Sequence, residues 1–430
     1  MQETLSHYFG YKSFRPGQEE IITKILNHQH TLGVLPTGGG KSICYQVPGL
    51  MQGGTTIVIS PLISLMKDQV DQLQAMGIQA AYLNSSLTHK QQKEIEEQIK
   101  RGAIQFLYVA PERFENTFFL NLLRKIEIPL IAFDEAHCIS KWGHDFRPSY
   151  QSVIQKVFTL PQNFTIVALT ATATAEVQQD IMSKLSIGQN DVVKTSTKRR
   201  NLIFKVNPTY QRQKFVVYYV ANHEGQAGII YCSTRKQVEE LHEALNSEKI
   251  KSTIYHAGLT NKERIEAQND FLYDRVEVVI ATNAFGMGID KSNVRYVIHY
   301  NMPGDLESYY QEAGRAGRDG LKSECILLFS ERDKGLHEYF ITVSQADDDY
   351  KDKMGEKLTK MIQYTKTKKC LEATIVHYFE PNENLEECNQ CSNCIQENKT
   401  YDMTREAKMI ISCIARMKQQ RSEEHTSELQ

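Results

Sequence analysis

Apolar runs of strand length recur through the first two hundred residues, at 31–35, 56–60, 105–109, 130–133 and 165–169, and each is followed by a polar stretch of helical period. This alternation predicts an α/β domain built on a parallel sheet. A second series, at 228–231, 251–255, 277–281, 296–299 and 324–329, begins after the basic patch Lys198, Arg199, Arg200. Two similar α/β domains in tandem are therefore expected, divided near residue 200, with their functional loops at the C-terminal ends of the strands. From about residue 334 the pattern turns helical, passes through a cluster of cysteines and reaches an apolar-periodic segment at 404–417. The last ten residues, 421–430, have no periodicity and read as an appended or foreign tail.

Length agrees with this division, since 430 residues exceed what one core of roughly 250 residues accommodates. No run approaches the roughly 18 apolar residues of a membrane span, and residues 1–10 lack the basic and apolar regions of a secretion signal. A cytoplasmic protein, nucleoid-associated and without a membrane partner, is expected. The net charge of −2, from 50 basic and 52 acidic side chains, provides no general attraction to a polyanion. Any grip on phosphates must come from a local cleft, backbone N–H groups and helix N-termini.

Such a place is written after the first strand. Pro36, Thr37, Gly38, Gly39, Gly40, Lys41 and Ser42 form a glycine-rich turn into a helix, where backbone N–H groups curl around phosphates. Lys41 is placed on the β/γ-phosphates and Ser42 on Mg2+, although the first position of the usual pattern is Leu35 rather than glycine. Asp134 and Glu135 end the apolar run 130–133 and lead into Ala136 and His137. The first carboxylate suits Mg2+ and the second an attacking water, because phosphoryl transfer needs positioning and charge neutralisation. A solvated acidic turn is the bland alternative, and a wholly apolar strand before it argues against that.

Base choice has a candidate in Phe14, Arg15, Pro16, Gly17 and Gln18. A glutamine amide donates and accepts at once, matching the N6/N7 edge of adenine, so ATP is favoured over GTP. Tyr11 has two readings, a stack on the base or a place in the core. Gln311 opens a segment in which Arg315 and Arg318 stand one helical turn apart among glycines and alanines that permit close backbone approach. An arginine pair supplied by the second domain would couple ATP to domain closure.

Cys370, Cys388, Cys391 and Cys394 supply four thiolates, enough for a closed tetrahedral Zn2+ site of structural type. Cys370 is expected on a helix, and Cys44, Cys138, Cys232, Cys325 and Cys413 as ordinary buried thiols. Ser140 to Arg147 holds the single tryptophan. There Trp142, His144 and Phe146 alternate with charge and glycine, as in a loop that stacks bases and offers Arg147 to a phosphate or to ATP.

These motifs in this order resemble the superfamily 2 helicases, and closely the RecQ DNA helicases, over almost the whole chain. The resemblance includes Ser60 to Gln69, Tyr108 to Arg113, Ala168 to Ala173, Gly228 to Cys232, Tyr255 to Gly258 and Ala284 to Asp290. It implies two RecA-like domains at 1–198 and 199–335, a helical zinc-binding subdomain at 336–400 and the start of a truncated winged-helix domain at 401–420. It also implies a 3′-to-5′ DNA helicase of recombination, repair and replication, with ATP, Mg2+ and Zn2+ as cofactors. Ser60, Pro61, Asn84, Ser85, His256, Thr282 and Asn283 would follow the strand's phosphates without reading sequence. In the family the aromatic loop couples single-strand binding to hydrolysis. Single-stranded and branched DNA are the expected partners, with single-strand-binding protein a further one, and the expected state is a monomer. An RNA helicase of the same superfamily and an ATP-switched DNA clamp are the competing readings. The intact Glu135, Arg315 and Arg318 speak against the clamp.

Overall fold

The computed structural model describes residues 1–61, 63–84, 87–143, 145–285, 291–383, 386–395 and 404–416. Ser85, His144 and most of the motif ending at Asp290 lie outside the described residues, as do 396–403 and 417–430. Among the described residues no helix is long and apolar enough to cross a membrane.

Two parallel sheets carry the chain. The first is formed by β1 (Thr31–Val34), β2 (Thr56–Ile59), β3 (Ala80–Leu83), β4 (Phe106–Val109), β5 (Leu130–Phe133), β6 (Thr165–Thr170) and β7 (Val192–Lys194), in the spatial order β3-β4-β2-β5-β6-β1-β7. The second is formed by β8 (Leu202–Pro208), β9 (Ala227–Tyr231), β10 (Ser252–Tyr255), β11 (Val278–Ala281), β12 (Val294–His299) and β13 (Ser323–Phe329), in the order β10-β11-β9-β12-β13-β8. All pairings are parallel, for example Leu32 with Ala168 and Ile230 with Ile298. Helices cover both faces, so the central strands are buried throughout, as their uninterrupted apolar runs require.

All ten anticipated strands are present, and β3, β7 and β8 are additional. Each of the three lies at a sheet edge, where one flank meets no partner strand and the apolar signal is weaker. The order of the first sheet places β6 between β1 and β5, so the loops that follow all three strands converge at one end. Beyond β13, helices Glu331–Val343, Asp348–Lys366 and Leu371–Phe379 share one apolar cluster with the second sheet, in which Leu358, Met361, Cys370 and Cys391 meet Leu202, Phe204 and Tyr309. The helix Thr404–Arg416 exposes Met409, Ile411 and Ile414. Cys413 is exposed with them and is not the buried thiol anticipated. Cys44, Cys138, Cys232 and Cys325 are buried.

Candidate active site and nucleic-acid track

The turn after β1 owes its shape to glycine. Gly38 and Gly40 have φ of 78° and 71°, a region where side chains are strained, and a Cβ on Gly39 would stand 2.8 Å from the Pro36 carbonyl. Leu35 N–H donates to the Thr170 carbonyl (3.0 Å), tying the turn to the end of β6. Helix Ile43–Gln52 starts directly after Ser42, so its N-terminus faces the same space. Gln18 holds the turn from outside: its Nε2 donates to the carbonyls of Gly39 (3.1 Å) and Gly40 (2.9 Å), and its Oε1 accepts from Arg15 N–H (2.8 Å). Arg15 also donates to the Gly38 carbonyl. In this structure both ends of the Gln18 amide are taken by protein groups.

Across β6 stands the acidic pair. Asp134 N–H donates to Ile59 O (2.9 Å), and its Oδ1 accepts from Glu135 N–H (3.0 Å). Burial, and then the neighbouring Glu135 carboxylate, push the Asp134 carboxyl up to about 7, with Lys41 opposing. Glu135 takes the left-handed conformation, φ 47° and ψ 50°, which is costly for a side-chain-bearing residue and is a mark of functional turns. His137 is fully buried behind it, with Nδ1 3.1 Å from Thr170 Oγ1 and 3.4 Å from Glu135 Oε2. Expected among the catalytic groups, His137 lines no part of the cleft and instead links Glu135 to the end of β6.

Lys41, Ser42, Asp134 and Glu135 open onto a cleft of about 410 Å3. Tyr11, Arg15, Gln18, Thr37, Gly38 and Gly40 line it from the first domain, and Gln311, Arg315 and Arg318 from the second. Tyr11 is 53% exposed, so the core reading does not hold. Pro36 and Gly39 turn to a separate hollow on the other side of the loop. The close backbone approach expected around Arg315 is present, because a Cβ on Gly314 would lie 3.0 Å from Thr37 Cβ and one on Gly38 3.4 Å from Arg318 Cγ. Arg199 fastens the two domains there. Its guanidinium donates to Thr37 O (2.7 Å), Ala316 O (3.1 Å) and Gly317 O (2.9 Å). The sequence showed Arg199 only as part of a basic patch. These carbonyl acceptors lie more than a hundred residues away in either direction, so no local signal pointed to it.

The loop after the acidic pair folds back on it. A Cβ on Gly143 would stand 2.2 Å from the His137 carbonyl, so only glycine fits. Ser140, fully buried, accepts from Trp142 N–H (3.2 Å). Arg147 donates to the Pro61 carbonyl (2.8 Å) and pairs with Asp145 (3.0 Å). The half-buried Trp142 ring packs on the first core with two ammonium groups near it, Lys141 Nζ at 5.4 Å and Lys353 Nζ at 5.9 Å from its centroid. Phe146 is half-buried. Among the strand-end residues, Ser60, Pro61, Asn84 and His256 are buried, Thr282 is half-buried and Asn283 exposed. His256 and Thr282 end neighbouring strands, Thr282 N–H donating to Tyr255 O (3.1 Å).

The four late cysteines converge, their sulfur atoms all within 4.8 Å of one another. Cys388 and Cys394 Sγ are 3.9 Å apart, and Cys391 and Cys394 Sγ 3.4 Å. Cys370 is the N-cap of helix Leu371–Phe379 rather than a residue within it.

Comparison with known proteins decides the family. Residues 15–181 match the DEAD/DEAH box helicase model, 211–320 the helicase conserved C-terminal domain and 331–395 the RecQ zinc-binding domain. The ATP-dependent DNA helicase RecQ of Bacillus subtilis is 48% identical over 97% of this chain and 71% of its own length. That of Haemophilus influenzae is 42% identical over 96% and 67%. The chain belongs to the RecQ family of ATP-dependent DNA helicases. Among solved structures, the DUF1998 helicase MrfA bound to DNA matches with a TM-score of 0.65 at 18% identity, over 80% of this chain and 53% of that one. Saccharomyces cerevisiae Dbp5 bound to RNA and ADP BeF3 matches with 0.63 at 18%, over 83% and 97%. At such identity these two speak for the fold alone.

The zinc of the RecQ domain fits the cysteines found here. Thiolates at about 2.3 Å from one tetrahedral ion stand about 3.8 Å apart. Backbone N–H groups of Leu371 and Cys391 donate to the sulfurs of Cys391 and Cys388 (3.3 Å each), which supports the thiolate charge. Held by all four sulfurs, such an ion would keep no position for water and would support the fold. This RecQ chain is thus an ATP-hydrolysing DNA helicase, and the cleft lined by residues of both domains is its candidate nucleotide site.

Proposed function

We propose that hydrolysis at this cleft drives 3′-to-5′ movement along single-stranded DNA and opening of the duplex ahead, in recombination, repair and replication. The observation that carries the mechanism is the meeting of Lys41, the Asp134–Glu135 pair and Arg315 and Arg318 on one cleft between two domains. Lys41 and the N-terminus of helix Ile43–Gln52 hold the β/γ-phosphates. Ser42 and the buried Asp134 offer oxygens to Mg2+, which when bound neutralises phosphate charge. The fit rests on two adjacent carboxylates and the Ser42 hydroxyl facing one cleft beside Lys41, where burial and then the Glu135 charge push the Asp134 carboxyl up to about 7. Glu135, held by its strained backbone, orients the attacking water. Arg315 and Arg318, with Gln311, bring positive charge from the second domain to the γ-phosphate, so that nucleotide draws the domains together and product releases them.

Gln18 and Arg15 select adenine and Tyr11 stacks on it. Ser60, Asn84, His256, Thr282 and Asn283 mark a phosphate track across the strand ends, met through backbone groups wherever the side chain is buried. The Trp142 loop reports an arriving strand to Glu135 through the Gly143–His137 contact. The working unit is a monomer, and single-strand-binding protein is its partner on exposed strands.

Two assays test this reading. ATP hydrolysis by wild type and Lys41→Ala is measured with single-stranded DNA, with single-stranded RNA and with neither. DNA-stimulated activity that Lys41→Ala abolishes is expected, and stimulation by RNA alone overturns the substrate. Displacement from duplexes with a 3′ or a 5′ tail then tests polarity, and preference for the 5′ tail overturns it.

A further inference from the structure

Lys357 lies in the middle of helix Asp348–Lys366, far in sequence from every nucleotide motif, yet its ammonium is one of the least exposed charges in the molecule. It is 5% exposed and is held between two groups from different parts of the chain. One is the carboxylate of Glu307 at 2.9 Å, itself 2% exposed, in the first turn of helix Leu306–Ala313. The other is the backbone carbonyl of Trp142 at 2.8 Å. Helix Leu306–Ala313 carries Gln311 and leads directly into Arg315, and Trp142 precedes the glycine wedged against His137. A single buried cation therefore joins the aromatic loop of the first domain to the arginine-bearing helix of the second.

The rim of the same contact repeats the arrangement with exposed charges. Lys141 pairs with Asp347 at 2.8 Å, and Lys353 with Glu176 at 2.8 Å. Both ammonium groups also approach the half-buried Trp142 ring, which packs on the first core. The loop is thereby docked against helix Asp348–Lys366. Burying two opposite charges is costly, and apolar residues in place of both Lys357 and Glu307 would fill the volume at less cost, so the pair contributes a specific geometry more than stability.

We propose that Lys357 is a positioning residue for DNA-dependent hydrolysis: its bonds to Trp142 O and Glu307 hold the loop docked while no DNA is bound, in a register that keeps hydrolysis slow. An arriving strand competes for the loop and for Lys141 and Lys353 with its phosphates, and frees the register that the arginines then complete. This rests on the reading of the Trp142 loop as the DNA-responsive element.

The test is steady-state ATP hydrolysis by the full chain with and without saturating oligothymidylate, with DNA affinity followed by fluorescence anisotropy. Lys357→Met keeps the volume and removes the charge. It is expected to raise the DNA-free kcat roughly fivefold, the low end of coupling between two sites, and to leave the DNA-saturated kcat and the KM for ATP in place. A purely structural role lowers both rates together, and that result, or an unchanged ratio, overturns the proposal. Asp347→Asn guards against loss of folding, because the side chain is 58% exposed and asparagine still caps the helix. It removes only a rim charge and is expected to move the same ratio in the same direction by about twofold, within what an exposed pair contributes. No change in the ratio overturns the proposal by this route too. A wild-type chain indifferent to DNA refutes the underlying reading of the loop, and is distinguished by needing no variant at all.

Discussion

Gly143→Ala adds one methyl group at the point where the aromatic loop touches the catalytic turn. The new Cβ would lie 2.2 Å from the His137 carbonyl oxygen and 3.1 Å from the Ser140 carbonyl oxygen. A comfortable carbon–oxygen contact is about 3.4 Å, so roughly 1.2 Å must be found, and neither neighbour is a flexible side chain. The loop must lift or the turn that carries Glu135 must shift. Overpacking of this kind costs about 1–3 kcal/mol, which lowers the melting temperature of a domain this size by roughly 2–12 °C. The kinetic consequence is larger, because a displacement of about 1 Å in a positioned group costs on the order of a hundredfold in rate. Differential scanning fluorimetry and DNA-stimulated ATP hydrolysis measure the two effects separately. Gly335→Ala, in helix Glu331–Val343 with nothing within 4 Å of the added carbon, serves as control and is expected to be neutral or slightly stabilising. Gly143→Ala with a wild-type rate and stimulation would refute the claim that the loop and the catalytic turn move as one.

The zinc site and the acidic pair yield two further expectations. Chelation of zinc, or Cys391→Ala, is expected to lower the melting temperature of the second domain, since Cys370 and Cys391 belong to the apolar cluster that also holds Leu202 and Tyr309; a transition that does not move with chelator contradicts this. Asp134 is held protonated up to about 7, so the folded state binds a proton that the unfolded chain releases near 4. Stability without Mg2+ should therefore fall as pH rises from about 4 to 7, and Asp134→Asn should flatten that part of the curve, as melting at a series of pH values will show.

Much of this was legible because the relevant chemistry is local in sequence. Lys41 follows three glycines, Asp134 ends an apolar strand and three of the four zinc thiols fall within seven residues, so spacing alone carried the reading. The strands missed were the edges: Ala80–Leu83 begins with two small alanines, Val192–Lys194 has three residues, and Leu202–Pro208 buries only Leu202 and Phe204. The groups missed at the site were those whose meaning lies in a distant partner. Arg199 bonds a carbonyl 162 positions away and Lys357 one 215 positions away, and nothing in their neighbours announces either. His137 shows the reverse case, a motif residue whose local context suggested chemistry and which lies fully buried against Glu135 and Thr170.

The bonds of Gln18 have a consequence for nucleotide choice. Because both N–H groups of the amide already donate to Gly39 and Gly40, while its oxygen accepts from Arg15 and keeps a second lone pair, a base that accepts from the amide must first release one of those donor bonds. A purine whose edge both donates and accepts restores what was given up. One with the opposite pattern leaves two buried polar groups facing like charge, a loss of several kcal/mol. On the proposed reading of Gln18, a matching base returns what its entry displaced, and the glycine-turn carbonyl it frees marks that the nucleotide has entered.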